Sequence, residues 1–426
     1  MYWTGLKYYS LTRRNLRLPP ERLKARQWRA MQELVDFAWR KVPLYRQLYE
    51  SAGFTPDQLR TPEDLLRVPP TRKAVFQQAD PDSVIARGYH REALIRRRTS
   101  GSTGSPLNVY YTPEDRIYRT LIHLRILFHN GMGWRDLMAH ISDSRHATDE
   151  RYSFQKLGFL PKEFVYAADS PEDQLQALEA VRPAVIYGYA SSLALLAGEV
   201  EKRGGSPLRP RRIFTTGELL NPSDRVRIER AFGVQVRDIY GLVEGGDVAW
   251  QCPAGDGYHL NVDSFYIEVD AGGRPAGPGE AGRLVITNLH SRAMPFIRYE
   301  IGDVLTPPQD EPCPCGCTFP RLQVIQGRAD DWLHSADGQK VSPLIFVVAS
   351  IPGVMQYRMV QEAYDQLRVE ILPGPGYSEE TLNQVGIHVR EVMGPGLTIE
   401  TVRVEAIPKD PSGKMRRVIS RIGVNA

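Results

Sequence analysis

Short polar stretches of the chain carry side chains that could act on a phosphorylated substrate, and the first is TSGSTGSP. Gly101 and Gly104 impose no Cβ barrier to positive φ, and Ser100, Ser102 and Thr103 add hydroxyl donors. Backbone N–H groups of such a loop can converge on an anion, so the run is a candidate phosphate cradle. It lacks the Gly-Lys-Ser/Thr ending of a Walker A loop. Composition alone favours a simple linker.

Carboxylate, arginine and lysine side chains follow in four later stretches. IYGLVEGG places Glu244 just beyond a predicted strand, where the ligands of parallel sheets gather. MPFIRYEIGDV contains Asp303, a carboxylate that could accept both hydroxyls of a ribose. QGRADDWL supplies Arg328 and Asp330, and PKDPSGKMRR supplies Lys414 on a Ser-Gly turn. Taken singly, each is more simply a surface carboxylate, a capped turn or a solvated lysine.

Three of the four cysteines, Cys313, Cys315 and Cys317, are clustered along the sequence, which favours metal binding or redox chemistry over scattered disulfides. Cys252, His259, Cys313 and Cys315 offer three thiols and one imidazole, a set suited to tetrahedral Zn²⁺. Cys317 is an alternative ligand or a spare thiol. Four protein ligands leave no open position, so we expect a structural ion rather than a catalytic one. The alternative is reduced cysteines packed as small hydrophobic residues.

Composition and charge are those of an ordinary globular protein. The 426 residues are 42% hydrophobic and 24% charged, with a net charge of +4. No concentrated basic stripe with interleaved aromatic residues is visible, so we expect no nucleic-acid partner. No apolar run reaches the ~18 residues of a membrane span, and the N-terminus has no signal-peptide core. These features predict a cytoplasmic protein.

The elements that must position these side chains follow from the periodicity of the sequence. Residues from about 1 to 93 are predicted to form a helical leader, and a βαβα alternation follows the serine-rich run. That alternation predicts a mostly parallel sheet with helices on both faces. Strands dominate from about 250 to 326, which indicates a β-rich subdomain. We therefore expect an α/β fold with a large N-terminal domain (1–328) and a small, mobile α+β C-terminal domain (329–426).

The order of the five stretches is more specific than any one of them. A Ser/Thr/Gly loop, Tyr-Gly-x-x-Glu, Arg-Tyr-x-x-Gly-Asp, Gly-Arg-x-Asp and a C-terminal Ser-Gly-Lys follow one another along the chain. This set resembles the adenylate-forming superfamily of acyl-CoA synthetases, adenylation domains and luciferases. Within it, FAWRKVPLYRQLYESAGF, EDLLRVPPTRK and CPCGCTFPRLQVIQGRADDWL resemble segments of the phenylacetate–CoA ligase family.

The resemblance implies a reaction in two halves. ATP and a small-molecule carboxylic acid form an acyl-adenylate and pyrophosphate, and a thiol then displaces AMP. The implied cofactors are ATP or AMP, Mg²⁺ and coenzyme A, and a homodimer is one implied association. Two alternatives stay open: an enzyme that passes the acyl group to an amine or a carrier-protein thiol, and a non-catalytic nucleotide-binding homologue.

The resemblance also implies roles for individual residues. The loop Ser100–Gly104 matches the segment that holds the β- and γ-phosphates, and Lys414 matches the lysine that bridges the carboxylate and the α-phosphate. Glu244 matches the magnesium-binding glutamate, Asp303 the ribose-binding aspartate and Asp330 the hinge of the C-terminal domain. The other matched positions contact the adenine or the phosphates: Gly217, Glu218, Tyr240, Gly241 and Arg328.

Three departures from the family pattern modify these expectations. Val243 stands where the family has a serine or threonine that donates to phosphate, and Ser105 stands where a lysine often follows the loop. HSADGQKVSP replaces the usual turn after the hinge, on the face presented for thiolation. The sequence therefore supports adenylation more firmly than the use of coenzyme A. Some members of the family carry a Cys/His zinc site in the segments of Cys252 and Cys313, which agrees with the zinc prediction.

Overall fold

The computed structural model describes residues 2–99, 106–143, 153–255, 257–309, 311–410 and 413–422. The loop Ser100–Gly104 and Ser105 lie outside the described residues, and so does Ser412 of the Ser-Gly-Lys turn. The α-helices are α1 (Tyr2–Asn15), α2 (Pro20–Lys41), α3 (Pro43–Ser51), α4 (Lys73–Gln78), α5 (Pro113–His129), α6 (Ser153–Lys156), α7 (Pro171–Val181), α8 (Ala190–Lys202), α9 (Pro222–Phe232) and α10 (Glu379–Met393).

The strands are β1 (Ile95–Arg98), β2 (Asn108–Tyr111), β3 (Met138–Ser142), β4 (Lys162–Tyr166), β5 (Val185–Tyr189), β6 (Arg212–Thr216), β7 (Val236–Leu242), β8 (Gly246–Trp250), β9 (Tyr258–Leu260), β10 (Phe265–Asp270), β11 (Gly282–Asn288), β12 (Tyr299–Leu305), β13 (Arg321–Leu322), β14 (Ile325–Arg328), β15 (Leu333–His334), β16 (Lys340–Val341), β17 (Val354–Ala363), β18 (Gln366–Pro373), β19 (Thr398–Arg403) and β20 (Val418–Ser420). The predicted strands β2, β3, β5, β6 and β7 occur in the predicted order, with β4 inserted between β3 and β5.

The chain divides into two compact units, and the first comprises Met1–Asn130 and Ile239–Ile325. Its strands pair antiparallel, in the orders β10–β11–β12 and β7–β8–β9–β13. Helix α2 buries Met31, Leu34, Val35 and Ala38 in the core that also contains residues of β10, β11 and β12. This spacing places the four side chains on one face of the helix, as the apolar repeat predicts. The β-rich part of the prediction lies in this unit.

The second unit comprises Gly131–Asp238 and Gln326–Ala426. Strands β4, β3, β5 and β6 are neighbours in that order and run parallel. Each of β3, β5 and β6 contributes a buried isoleucine (Ile141, Ile186 and Ile213) to a core shared with α7, α8 and α9. Helix α7 begins at its Ser170 cap, whose hydroxyl accepts from the backbone N–H of Asp173. The α/β class is as predicted.

A small α+β layer forms the end of the second unit. Its sheet has the order β19–β18–β17–β20, with α10 packed through Val385 and Val389 against the core of that sheet. Strand β18 pairs antiparallel with β17 and parallel with β19. Among the described residues, every helix is too short or too polar to cross a bilayer.

Two apolar runs of the predicted β-rich region (250–326) do not form single continuous strands. The apolar run MPFIRYEIGDV becomes a strand only from Tyr299, because Pro295 has no backbone donor and Arg298 adopts a left-handed φ of 44°. The run YHLNVDSFYIEV is two strands, β9 and β10, separated by a turn in which Ser264 N–H donates to Asn261 O. Several further strands, among them β1, β4 and β8, are not apparent from the sequence pattern.

Candidate active site

Lys414 lies at the carboxyl edge of the parallel strands of the second unit. Its ammonium is 5.5 Å from the centroid of the Tyr189 ring, at the end of β5. Gly217, one residue beyond β6, has a φ of +75°, and a Cβ added to it would lie 3.2 Å from Lys414 Nζ. The lysine therefore packs against a bare stretch of backbone that only glycine supplies without strain. Sequence reasoning matched Lys414 and Gly217 to the nucleotide separately, and the structure brings them together.

The side chain of Glu218 connects two distant segments of the second unit. Its Oε2 accepts from the Ser191 N–H at 2.8 Å, and its Oε1 accepts from the Ser191 hydroxyl at 3.0 Å. The same Oε1 accepts from the Met415 N–H at 2.6 Å. Desolvation by the surrounding protein raises the pKa of Glu218, while the backbone donors and the Lys414 charge act in the opposite direction. The carboxylate thus faces the backbone next to the candidate catalytic lysine.

Helix α9 anchors the C-terminal segment of the same unit. Arg227 donates to the carbonyls of Met355 and Val354 at 2.7 Å each and to that of Ala349 at 3.2 Å. Asp224, one helical turn earlier, forms an ion pair of 2.6 Å with Arg417. Because both Asp224 and Arg417 are largely buried, this pair is screened little by solvent.

In the first unit, Glu244 lies in the turn between β7 and β8 and is buried. Arg119 of α5 donates to the carbonyls of Val243 and Glu244, at 3.0 Å each. The Asn288 amide also donates to Glu244 O at 3.2 Å, and the Tyr299 hydroxyl donates to Glu244 Oε1 at 3.3 Å. Burial raises the pKa of the Glu244 carboxyl, and this carboxylate is therefore a group whose ionised form a nearby cation would stabilise.

Tyr240 and Asp303 are joined directly in the first unit. The Tyr240 hydroxyl donates to Asp303 Oδ2, and Asp303 is itself largely buried on β12. Gly241 follows Tyr240 on β7, and a Cβ added to it would meet the Asp247 carboxylate at 3.0 Å. The structure therefore places three of the residues matched to the nucleotide in one small area of this unit.

The remaining matched positions lie around the beginning of the C-terminal segment. Arg328 ends β14 and is half-buried, and Asp330 lies in the short 3-10 turn Ala329–Asp331 that follows. Its neighbour Asp331 forms an ion pair of 2.6 Å with Arg416. The expected hinge is thus tied to the segment that carries Lys414.

The cysteine cluster is assembled in the first unit. The ligand atoms of Cys252, His259, Cys313 and Cys315 all lie within 4.8 Å of one another. Cys252 Sγ is 3.6 Å from Cys313 Sγ, and Cys315 Sγ is 3.3 Å from His259 Nε2. A tetrahedral ion bound at about 2.0–2.3 Å separates its ligand atoms by similar distances. The Cys252–Cys313 separation far exceeds the ~2.05 Å of a disulfide.

The surroundings of the cluster favour metal ligation. His259 Nδ1 lies 3.1 Å from the Phe319 carbonyl, so this nitrogen carries the proton and Nε2 is left to face Cys315. The hydrogen bond between Cys315 and Cys252 lowers the pKa of the Cys252 thiol and raises that of Cys315, so the two thiols share one proton between them. Cys317 is not part of this four-residue group, and its backbone N–H donates to Cys315 Sγ at 3.4 Å.

Several residues of the site carry no sequence signal that singled them out. Ser191 follows β5 at the edge where ligands of parallel sheets gather, so its position could have marked it. Arg119 lies within the long amphipathic helix α5, where an arginine is an ordinary residue of the polar face and does not indicate a special role. Asp224, Arg227 and Arg417 become related only through the folded chain.

Comparison with known proteins places these observations in a family. Residues 333–421 match the CapK C-terminal domain. The phenylacetate-coenzyme A ligase of Thermus thermophilus is 28% identical over 94% of this chain and 97% of that protein. The ligase of the same name from Pseudomonas putida is 30% identical over 73% of this chain and 72% of that protein.

A solved relative extends the match to the whole fold. The 2-hydroxyisobutyryl-CoA ligase in its postadenylation state, with R3-HIB-AMP bound, is 25% identical and has a TM-score of 0.81 over 96% of this chain and 92% of that chain. The same ligase in its thioesterification state, with CoA bound, gives a TM-score of 0.65. The chain belongs to the phenylacetate–CoA ligase family, whose members are AMP-forming acid–thiol ligases of the adenylate-forming superfamily.

Proposed function

We propose that this protein activates a small carboxylic acid with ATP as an acyl-adenylate and transfers the acyl group to coenzyme A. The observation that supports this most directly is the position of Lys414 beside Gly217 and Tyr189, at the carboxyl edge of the parallel strands. Ligands of parallel sheets bind at the carboxyl ends of the strands, so an ammonium at that edge would contact a bound ligand. Lys414 would bridge the carboxylate and the α-phosphate.

The chemistry requires positive charge and positioning rather than a general base. The attacking carboxylate is already ionised, and it approaches a phosphate that is also negative, so the barrier falls when cations face the developing charge. Lys414 would supply one such charge. The hydroxyls of the ribose would bond to Asp303, which Tyr240 orients through its hydrogen bond. The serine and threonine side chains of Ser100–Gly104 would act as donors to the terminal phosphates, not as nucleophiles.

Glu244 is the residue that would hold Mg²⁺. Its carboxylate fits a cation because it is buried with a raised pKa, and its backbone is fixed by Arg119 and Asn288. A bound Mg²⁺ would supply charge neutralisation at the phosphates of ATP. We further propose a structural Zn²⁺ at Cys252, His259, Cys313 and Cys315, because the donor set, the spacing and the histidine tautomer all suit tetrahedral coordination.

The finer identity of the substrates is part of the proposal. The relatives are named for phenylacetate and 2-hydroxyisobutyrate, which makes arylacetic and short hydroxy acids the first candidates. Coenzyme A is the proposed acceptor because the 2-hydroxyisobutyryl-CoA ligase was solved in complex with CoA. A carrier-protein thiol or an amine is the competing acceptor, supported by the altered segment HSADGQKVSP. A reaction that uses ATP and CoA is also the reason to propose a cytoplasmic location.

The test is ATP–pyrophosphate exchange against a panel of phenylacetate, benzoate, 2-hydroxyisobutyrate, amino acids and fatty acids. We expect acid-dependent exchange without CoA, and acyl-CoA formation when CoA is added. Exchange without any acyl-CoA product would favour the carrier or amine acceptor. Absence of exchange with every acid would favour a non-catalytic nucleotide-binding protein.

Lys414→Ala tests the catalytic assignment within the same assay. We expect Lys414→Ala to slow exchange by about 100-fold or more, because the substitution removes the positive charge that offsets the repulsion between the two reacting anions. Transfer from chemically prepared acyl-adenylate to CoA should persist. Lys340→Ala, which changes an exposed lysine on β16, is the matched control and should leave exchange unchanged. Exchange that survives Lys414→Ala would show that the lysine is assigned wrongly.

A further inference from the structure

Two hydrogen bonds join Asp410 to Lys414 across the turn that carries the lysine. Asp410 N–H donates to Lys414 O at 2.8 Å, and Lys414 N–H donates to Asp410 Oδ1 at 3.1 Å. Lys409 and Met415 form an isolated antiparallel bridge at the base of this turn. These contacts hold Asp410 and Lys414 together, but they do not fix the place of the two residues in the second unit.

Two contacts attach the turn to the parallel-strand edge. Lys409 Nζ donates to the Ala167 carbonyl at 2.8 Å, just beyond β4. On the other side of the turn, Met415 N–H donates to Glu218 Oε1 at 2.6 Å. Met415 is adjacent to Lys414, so the second contact acts directly on the residue next to the lysine.

Glu218 is itself held on its other side. Both the backbone N–H and the hydroxyl of Ser191 donate to its carboxylate, at the first turn of α8. A carboxylate suits this pattern because both of its oxygens accept, whereas a carboxamide would turn its NH₂ group toward one of the three donors. The N–H of Met415 is therefore bonded to a rigidly placed, charge-bearing acceptor, which makes the bond stronger than one between neutral groups.

We propose that Glu218 is a positioning residue for Lys414: its carboxylate, anchored by Ser191, holds the Met415 backbone so that the lysine faces the acid and the α-phosphate during adenylation. This inference rests on the proposed function. A residue that acts through Lys414 matters only where the lysine matters. Glu218 should thus influence formation of the acyl-adenylate and its reversal, and not the transfer of a preformed acyl group to the thiol.

The experiment compares the two half-reactions in Glu218→Gln. ATP–pyrophosphate exchange should fall by roughly 10–100-fold, as expected when the group that stabilises the transition state is held out of position. The KM for the acid should change little, while kcat of exchange carries the loss. Transfer from chemically prepared acyl-adenylate to CoA should stay within about two-fold of the wild-type rate, a split that a general structural role would not produce.

Two further variants sharpen the comparison. Ser191→Ala removes only one of the donors that anchor Glu218, so it should show the same split with a smaller loss. Glu199→Gln changes another glutamate of the second unit, one that pairs with Lys202 and Arg203 and not with the lysine turn. It is the matched control, and both half-reactions should be unchanged.

The outcomes separate this inference from the proposed function. If Glu218→Gln slows both half-reactions equally, or slows neither, Glu218 does not position the lysine. If Glu218→Gln fails to fold, Ser191→Ala becomes the test. Equal slowing of both half-reactions by Ser191→Ala would then overturn the inference. If the wild-type protein shows no exchange with any acid, the proposed function is wrong, and the inference falls with it.

Discussion

Glu218 and Glu244 are both carboxylates whose pKa is raised by desolvation, yet their surroundings differ in kind. Three donors from Ser191 and Met415 converge on the Glu218 carboxylate. Glu244 receives one hydroxyl from Tyr299 at 3.3 Å, while its backbone carbonyl is held by other residues. The first arrangement binds protein segments together, and the second would leave a carboxylate for the proposed Mg²⁺. Local geometry, rather than residue type, separates the two roles.

The raised pKa of Glu218 predicts a pH-dependent contribution to stability. Folding raises this pKa, so the folded state binds the proton more tightly, and the contribution is complete at acid pH and is lost as pH rises through the raised value. The melting temperature of the wild type should therefore increase relative to Glu218→Gln as pH falls through the raised pKa toward the ordinary value of 4.5. The change should be up to about 1.5 °C for each unit by which folding raises the pKa, given the unfolding entropy of a chain of this length.

Differential scanning calorimetry of both proteins across that range measures the effect. The Glu199→Gln variant again serves as the control: its arginine and lysine partners lower the pKa of Glu199, so its difference from wild type should stay constant above the ordinary value of 4.5. A difference between wild type and Glu218→Gln that stays constant with pH would contradict the prediction.

At the scale of elements, α5 fixes the turn between β7 and β8 through a single guanidinium. Arg119 bonds to two consecutive carbonyls, those of Val243 and Glu244, and its guanidinium carbon lies 4.4 Å from the Tyr111 ring centroid. Such a clamp restricts both peptide planes that determine where the Glu244 carboxylate points. It also holds the position at which Val243 replaces the expected serine or threonine.

Arg119→Met should therefore weaken the proposed magnesium site without removing a ligand. We expect the Mg²⁺ concentration for half-maximal exchange to rise about 10- to 100-fold, the usual effect of losing a group that orients a metal ligand. Titration of exchange activity with Mg²⁺ measures it. Arg116→Met, on the exposed face of the same helix, should leave the titration unchanged. An unaltered midpoint in Arg119→Met would exclude the clamp.

The Cys/His cluster joins the end of β8, β9 and the loop before β13. The protein isolated without tags or chelators should contain about one equivalent of zinc, as a four-ligand structural site requires. Cys313→Ser should lower the zinc content below half an equivalent and reduce thermal stability, because metal affinity contributes to folding. Elemental analysis gives the first result and thermal denaturation the second. Cys317→Ser, outside the four-residue group, is the matched control.

Most of the alternating elements from α5 onward were predictable because they left a local signal. Helix α5 ends at Asn130 as its Asn-Gly pair predicts, and the cap at Ser170 marks the start of α7. The edge strand β4 left no such signal, because Lys162 and Glu163 make its first residues polar. Local pattern thus identifies elements with caps and apolar faces, and overlooks short edge strands.

The site was predictable only where it follows a local motif. Lys414, Asp303 and Glu244 lie in short stretches with their own glycines and strand ends, and these could be recognised. The contact between Glu218 and Met415 spans 197 residues of sequence, and neither residue indicates the other. Hydrogen bonds of this kind depend on the complete packing of the second unit, which no short stretch encodes.

At the scale of the whole molecule, the C-terminal segment is held by buried charge as well as by apolar packing. Arg417 pairs with Asp224 and its guanidinium carbon lies 4.8 Å from the Tyr357 ring centroid, while Arg227 bonds to three carbonyls of the segment. Residues far apart in the chain therefore share one electrostatic arrangement. Loss of the buried Asp224–Arg417 pair should lower the free energy of unfolding more than loss of an exposed ion pair would.

Asp224→Ala tests this arrangement, because it leaves the Arg417 charge buried without its partner. We expect a loss of about 3–5 kcal/mol in the free energy of unfolding, measured by the midpoint of chemical denaturation. The double variant Asp224→Ala/Arg417→Met should recover much of that loss, since no unpaired charge then remains buried. Glu280→Gln, which breaks the exposed pair with Arg274, is the control and should leave the midpoint unchanged. A double variant as unstable as the single one would mean that packing, and not charge, is what Asp224 supplies.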